Sequence, residues 1–246
     1  MNTSAILHIM TKAAEKAAFG LIRDFGELEK LQISRKGFKN FVTSADRNSE
    51  CKIMKELSKA RPDFSFLCEE SGFTSGQNNS LTWVVDPIDG TTNFMRGIPY
   101  FAINIALMNR EEVVAGVTFD PIRGDYFVAE TGLGAFVSHR NRLRVSMREN
   151  LEEAVIATRV PLDLDIKISN LGAFVRKTGS LALDLAYLSA GKYDAVISSD
   201  AYLWDIASGI ILVKESGGFL EYVKKSCGKY DIIAASSTKI MKCLNG

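Results

Sequence analysis

The chain has 246 residues, 46% of them hydrophobic and 24% charged, a balance ordinary for a globular protein with one large domain or two closely packed lobes. A formal net charge of +1 argues against a nucleic-acid or anionic-membrane surface as the main partner. No run of about 18 uncharged apolar residues and no signal-peptide pattern is present, so a membrane span and a secretory leader are not expected.

From Ser4 to about Leu31 the apolar residues Ile6, Ile9, Met10, Ala13, Ala17, Leu21 and Ile22 recur at helical spacing, with Gly20 and Gly26 as places for an interruption. A polar loop is expected over Ser34–Asn40. A second helix is expected from Thr43 to Ala60, capped by Thr43 or Ser44 and stopped by Arg61-Pro62-Asp63. Phe64–Cys68 reads as a strand, Phe73–Ser80 as a polar loop and Leu81–Val85 as a second strand. Strands at hairpin spacing follow over Phe101–Met108, Glu112–Phe119, Asp125–Ala129 and Gly134–Val137, making this half α+β with an antiparallel sheet. Beyond about Asn141 the pattern alternates. Strands are expected at Ala154–Thr158, Ala195–Ser198, Phe219–Val223 and Asp231–Ala235, with helices at Leu181–Ala190 and Asp205–Ser216. The expected division is therefore 1–140 as an α+β lobe and 141–246 as an α/β lobe.

Chemistry concentrates in Trp83-Val84-Val85-Asp86-Pro87-Ile88-Asp89-Gly90-Thr91-Thr92-Asn93-Phe94. Pro87 keeps Asp86 out of the helical region, so an apolar strand ends in a carboxylate near the core. An unpaired carboxylate there is costly, and a divalent cation removes the cost, with the Ile88 carbonyl as a further oxygen ligand. Gly90 lets backbone approach an anion, and Thr91 and Thr92 offer N–H groups at a helix start. Solvated acids in a turn and a plain helix cap are the bland alternatives. Glu69-Glu70 repeats the theme of acids at a strand end, with surface acids an equal alternative. Asp205 opens an apolar helix, where an N-cap and a metal ligand remain equally open readings, as does a metal role for Asp200.

The only histidines, His8 and His139, lie in no cluster, and Cys51, Cys68, Cys227 and Cys243 form no C-x-x-C pair. A histidine-based triad or zinc site is therefore disfavoured, and oxygen ligation points to magnesium, manganese or calcium. Separated cysteines suit reduced thiols in a cytoplasmic protein.

These segments together resemble the inositol monophosphatase family of magnesium-dependent, lithium-sensitive phosphatases, and in particular its bacterial SuhB-type branch. Asp86–Phe94 matches the family's central signature without a gap, and Trp204–Gly209 with Glu215-Ser216-Gly217-Gly218 matches its second. Glu69-Glu70-Ser71 and Val42–Asp46 fit in order and separation. The resemblance implies a layered αβαβα sandwich of the sugar-phosphatase type, usually homodimeric, hydrolysing inositol 1-phosphate or a related polyol or sugar phosphate by direct attack of metal-activated water. Carried over, Glu69, Asp86 and the Ile88 carbonyl would hold one Mg2+ ion. Asp86, Asp89 and Asp205 would hold a second, and a third would lean on Glu69, with Mn2+ as a substitute. Glu69 and Thr91, with Asp46 behind, would orient water; Gly90, Thr91 and Thr92 would bind phosphate; Lys36 would approach the third metal or the phosphate.

Departures touch the alcohol side. Ser198 stands where inositol-preferring relatives carry a glutamate, Leu181 follows Ser180 where a small residue is usual, and the stretch between Arg159 and Arg176 is short. Fructose 1,6-bisphosphate, histidinol phosphate or a nucleotide 3′-phosphate are alternative substrates. A regulatory partnership with the ribosomal-RNA transcription machinery, through protein contacts and without direct nucleic-acid binding, is the alternative of another class.

Overall fold

A computed structural model describes residues 4–31, 38–138 and 140–245, with side chains at 29–31, 38–43 and 79 left out of the description. The first layer is a helix pair, α1 (Ala5–Leu31) and α2 (Phe38–Ala60). Leu7, Met10, Ala13, Ala14, Ala17, Leu21 and Leu28 are buried along one face of α1, the three-to-four spacing that a packed helix requires. Neither Gly20 nor Gly26 interrupts it. The expected cap at Thr43 or Ser44 is incorrect, because α2 already starts at Phe38 and takes up the end of the supposed Ser34–Asn40 loop. His139 and Lys36 lie outside the described residues.

Next comes an eight-stranded sheet: β1 (Phe64–Cys68), β2 (Gly72–Thr74), β3 (Asn78–Asp89), then, after a short helix α3 (Thr91–Met95), β4 (Ala102–Asn109), β5 (Glu112–Asp120), β6 (Asp125–Glu130), β7 (Gly134–Val137) and β8 (Asn141–Arg142). The spatial order is β2-β1-β3-β4-β5-β6-β7-β8. All neighbours are antiparallel except β1 and β3, which run parallel, so the sheet is mixed. The supposed polar loop over Phe73–Ser80 is a hairpin return: Gly72–Thr74 pairs back onto β1, and β3 has begun by Asn78. One face of this sheet buries Phe66, Trp83, Val85, Ile103, Ile105 and Val117 against α1 and α2.

The remainder builds a five-stranded sheet from β9 (Val155–Arg159), β10 (Phe174–Arg176), β11 (Ala195–Ala201), β12 (Phe219–Lys224) and β13 (Tyr230–Ala235), in the order β10-β9-β11-β13-β12. β9, β10 and β11 are parallel and β13 is antiparallel to both its neighbours. Parallel neighbours need crossover connections, which the helices α4 (Leu162–Asn170) and α5 (Leu181–Ser189) provide. Sequence periodicity had not marked α4, β10 or the terminal helix α7 (Thr238–Asn245). α5 and α6 (Leu203–Ser216) are buried between the sheets. α4 and α7 cover the outer face of the second sheet through Ile168, Ile240 and Met241. The layers are thus helix, sheet, helix, sheet, helix, the αβαβα sandwich expected.

Close approach fixes the central layer. A Cβ on Gly116 of β5 would lie 2.7 Å from Ile211 and 2.8 Å from the Ser208 backbone, and one on Gly209 would lie 2.6 Å from the Leu185 Cβ. Glycine at these points lets α6 touch the first sheet on one side and α5 on the other. No described helix is long and apolar enough to cross a membrane.

Candidate active site

Strand alternation sends residues three apart to opposite faces, which would separate Asp86 from Asp89. The register prevents this. Asp86 pairs with Asn104 and Asp89 with Ala102, so β3 carries one extra residue, a bulge that includes Pro87. Both carboxylates consequently face one point, and Asp205 joins them from the first turn of α6. Each of the three offers an oxygen, and these lie within 4.8 Å of one another. Glu69, one residue beyond β1, lies beside Asp86 and lines the same cavity. The Glu69 N–H donates to the Val85 carbonyl at 3.1 Å, which sets the two strand ends side by side.

Each acid is held by specific donors. The Ile88 N–H donates to Asp86 Oδ1 at 3.0 Å, an Asx-type turn. Asp89 Oδ2 accepts the Ala182 N–H at 2.8 Å and the Ser180 hydroxyl, while Ser180 caps α5 by accepting from the Leu183 N–H at 3.4 Å. Asp205 is the third residue of α6 and not its N-cap; its Oδ2 accepts from the Tyr202 N–H at 3.1 Å and from Arg159 Nη1 at 2.9 Å. Behind it, a buried polar cluster joins α6 to the first sheet. Asn104 Nδ2 donates to the Trp204 carbonyl, Ser208 donates to Asn104 Oδ1, and the Thr118 and Ser208 hydroxyls share a hydrogen bond at 2.6 Å.

Four acids gathered out of water cannot all stay ionised unaided. Burial, reinforced by the charges of Glu69, Asp89 and Asp205, pushes Asp86 well above the carboxylate range. Burial and the Asp205 charge raise Asp89 to about 8, although its bonds from Ser180 and Ala182 pull the other way. Burial also raises Asp205 against the opposing pull of Arg159, and raises Glu69. Hard oxygen donors, crowded and short of positive charge, suit one or more divalent cations of the magnesium class.

Beside the acids the chain turns through Gly90, whose φ is 95°. A Cβ there would meet the carbonyls of Gly179 and Tyr100 at 3.2 Å, so glycine is required both by the dihedral and by space. Helix α3 then spans only five residues, too short for a large dipole; its free N–H groups are the useful donors. The Thr91 hydroxyl donates to the Ile88 carbonyl at 3.1 Å. Glu69, Asp86, Ile88, Asp89, Gly90, Thr91, Thr92 and Asp205 all line one cavity of about 340 Å³, so most of the expected site residues meet at one place. Asp46 lies outside its wall. It is buried, Oδ1 lacks a hydrogen-bond partner among the described residues, and burial with the charges of Glu70, Glu69 and Glu50 raises its carboxyl to about 8.

A second cavity of about 390 Å³ adjoins the first and shares Asn93, Arg159 and Gly179 with it. Ser180 and Leu181 line it. Ser198 lines neither; its hydroxyl is buried without a hydrogen-bond partner among the described residues. Its register partner on β9, Arg159, reaches the boundary instead. Sequence reasoning passed over Arg159, whose one available signal was a cation ending a strand of the parallel set. The sequence likewise assigns Asn93 no role. Its Nδ2 donates to the carbonyls of Tyr100 at 2.7 Å and Thr178 at 2.8 Å, pinning the turn before α5.

Known proteins resemble this chain along almost its whole length. The model of the inositol monophosphatase family matches residues 2–245. The inositol-1-monophosphatase of Caulobacter vibrioides is 45% identical over 239 residues, covering 93% of both chains. The Nus factor SuhB of Pseudomonas aeruginosa is 37% identical, covering 97% of this chain and 94% of its own. The crystal structure of the extragenic suppressor protein suhB from Bartonella henselae superposes with a TM-score of 0.87 at 40% identity, covering 98% of this chain and 97% of that one. With a family model matching residues 2–245 and a relative 45% identical over most of both chains, the chain belongs to the inositol monophosphatase family.

Proposed function

We propose that the protein is a magnesium-dependent phosphomonoesterase acting on inositol 1-phosphate or a related small polyol or sugar phosphate. The observation that carries this reading is the convergence of buried Asp86, Asp89 and Asp205, with Glu69, beside the N–H groups of Gly90 and Thr91. Glu69, Asp86 and the Ile88 carbonyl would hold one ion; Asp86, Asp89 and Asp205 would hold a second; a third would lean on Glu69. Ions held there would activate water and offset the charge of the phosphoryl oxygens.

The rest falls to the chain. Gly90, Thr91 and Thr92 present backbone donors to the phosphate, so its charge meets fixed dipoles that need no reorganisation. Glu69 and Thr91 line the same wall and orient the attacking water, with Asp46 behind them as a supporting acid. The neighbouring cavity, walled by Ser180 and Leu181, receives the alcohol. No side-chain nucleophile is required.

The test is phosphate release from a panel of inositol, sugar, histidinol and nucleotide phosphates with Mg2+ or Mn2+, and with lithium as inhibitor. Release that does not depend on a divalent cation would contradict the assignment. A silent panel would favour the second reading, a regulatory contact with the transcription machinery, which the name Nus factor carried by relatives supports. We also infer a homodimer, supported by the exposed Leu162 and Ile166 on α4, Leu171 just after it and Phe174 on β10. Light scattering on the purified protein tests it.

A further inference from the structure

We propose that Arg159 is the receptor for a second anionic group, so that the preferred substrate is a phosphomonoester whose alcohol portion also carries a carboxylate or a phosphate. The proposal rests on the phosphatase reading above and narrows its substrate class.

The argument starts from where Arg159 sits. It is the last residue of β9 and lies on the boundary shared by the acid-lined cavity and its neighbour. The guanidinium is half exposed and contacts Asp205 at 2.9 Å. Asp205 is also a candidate cation ligand, and a cation that draws on its charge leaves the guanidinium with a weakened partner. A guanidinium beside a cation-filled site is repelled by it and favours an anion on its other side. That side is the second cavity.

The other charged groups there are already committed. Lys177 is ion-paired to Asp165 and donates to the Val160 carbonyl at 3.1 Å. Asp184 accepts from Thr178 at 2.7 and 2.8 Å and from Tyr100 at 2.8 Å. The position paired with Arg159 across the sheet is the neutral Ser198, so no carboxylate stands at that register position. Among the described residues lining this cavity, Arg159 is therefore the cation whose present partner is contested by the chemistry of the site. Its planar fork suits a carboxylate or phosphate, and it lies beside the alcohol side of an ester anchored at Gly90 and Thr91.

The test is equilibrium binding, which does not depend on turnover. Propylphosphonate, 3-phosphonopropionate and propane-1,3-bisphosphonate are titrated calorimetrically into the intact protein with Mg2+, and into Arg159→Ala and Arg159→Lys. The expected result is that one or both doubly anionic probes bind about tenfold tighter than propylphosphonate. Arg159→Ala abolishes that preference and Arg159→Lys restores part of it, with circular dichroism confirming that both variants are folded. The two anionic probes show whether carboxylate or phosphate is favoured. Equal affinity for all three probes, a preference that survives Arg159→Ala, or equal weakening of all three by that substitution would overturn the proposal. The last result would place the guanidinium on the reacting phosphate. A preference present in protein that releases phosphate from no ester would keep Arg159 as an anion receptor but remove the phosphatase reading, and with it the substrate class proposed here.

Discussion

Asp89, at the end of β3, accepts the backbone N–H of Ala182 in the first turn of α5 at 2.8 Å. Ser180 caps the same helix and donates to the same carboxylate oxygen. One acid therefore serves both the candidate metal centre and the junction between strand and helix.

Ser180→Ala removes the cap and one of the two donors to Asp89. Loss of an N-cap costs about 1 kcal/mol, which for a chain of this size lowers Tm by roughly 2–4 °C. Loss of a supporting donor is expected to weaken Mg2+ binding about 10- to 100-fold. Calorimetry and thermal melting on one preparation measure both effects.

Asp86→Asn and Asp205→Asn each replace a charged oxygen by an amide at the point where three carboxylates meet. Phosphate release is expected to fall by at least about 100-fold, with circular dichroism unchanged. Full activity in either variant would take that residue out of the metal centre.

The raised carboxyls give a pH dependence whose sign follows from linkage. Asp89 and Asp46 ionise near 8 in the folded protein without metal and near 3.8 when unfolded. Between those values the folded state binds more protons, so metal-free stability falls as pH rises. A cation that accepts the ionised Asp89 reverses the penalty. The rise in Tm on adding Mg2+ should therefore be larger at pH 8 than at pH 6. A rise that shrinks towards pH 8 would contradict the raised Asp89.

Gly209→Ala places a methyl group against Leu185, where α5 and α6 touch. Overpacking of this kind costs about 1–3 kcal/mol. The expected readout is a lower denaturant midpoint, together with weakened Mg2+ binding because α6 carries Asp205.

Much of this was legible in the sequence, for identifiable reasons. The apolar runs ending at Cys68 and Val85 marked strands, and the acids after them marked the site, because buried carboxylates need partners. The convergence of Asp86 and Asp89 was not legible, since it depends on a bulge set by the pairing with β4. The early start of α2 was not legible, because Val42 and Thr43 are weak helix formers. Gly72–Thr74 is too short to signal a strand and becomes one only by pairing with β1. The place expected for Ser198 is taken by Arg159, to which sequence reasoning assigns no role: the two are register partners, the longer side chain lines the cavity and the hydroxyl stays buried.

The buried cluster of Asn104, Thr118 and Ser208 with the Trp204 carbonyl works as a positional key. An apolar face alone would tolerate α6 sliding by a turn, about 5.4 Å, and Asp205 would travel with it. Polar groups that match at one setting strand several donors and acceptors at any other, each costing about 1–3 kcal/mol. The setting of the acid cluster is thus fixed about a turn along the helix, by residues that lie outside its cavity.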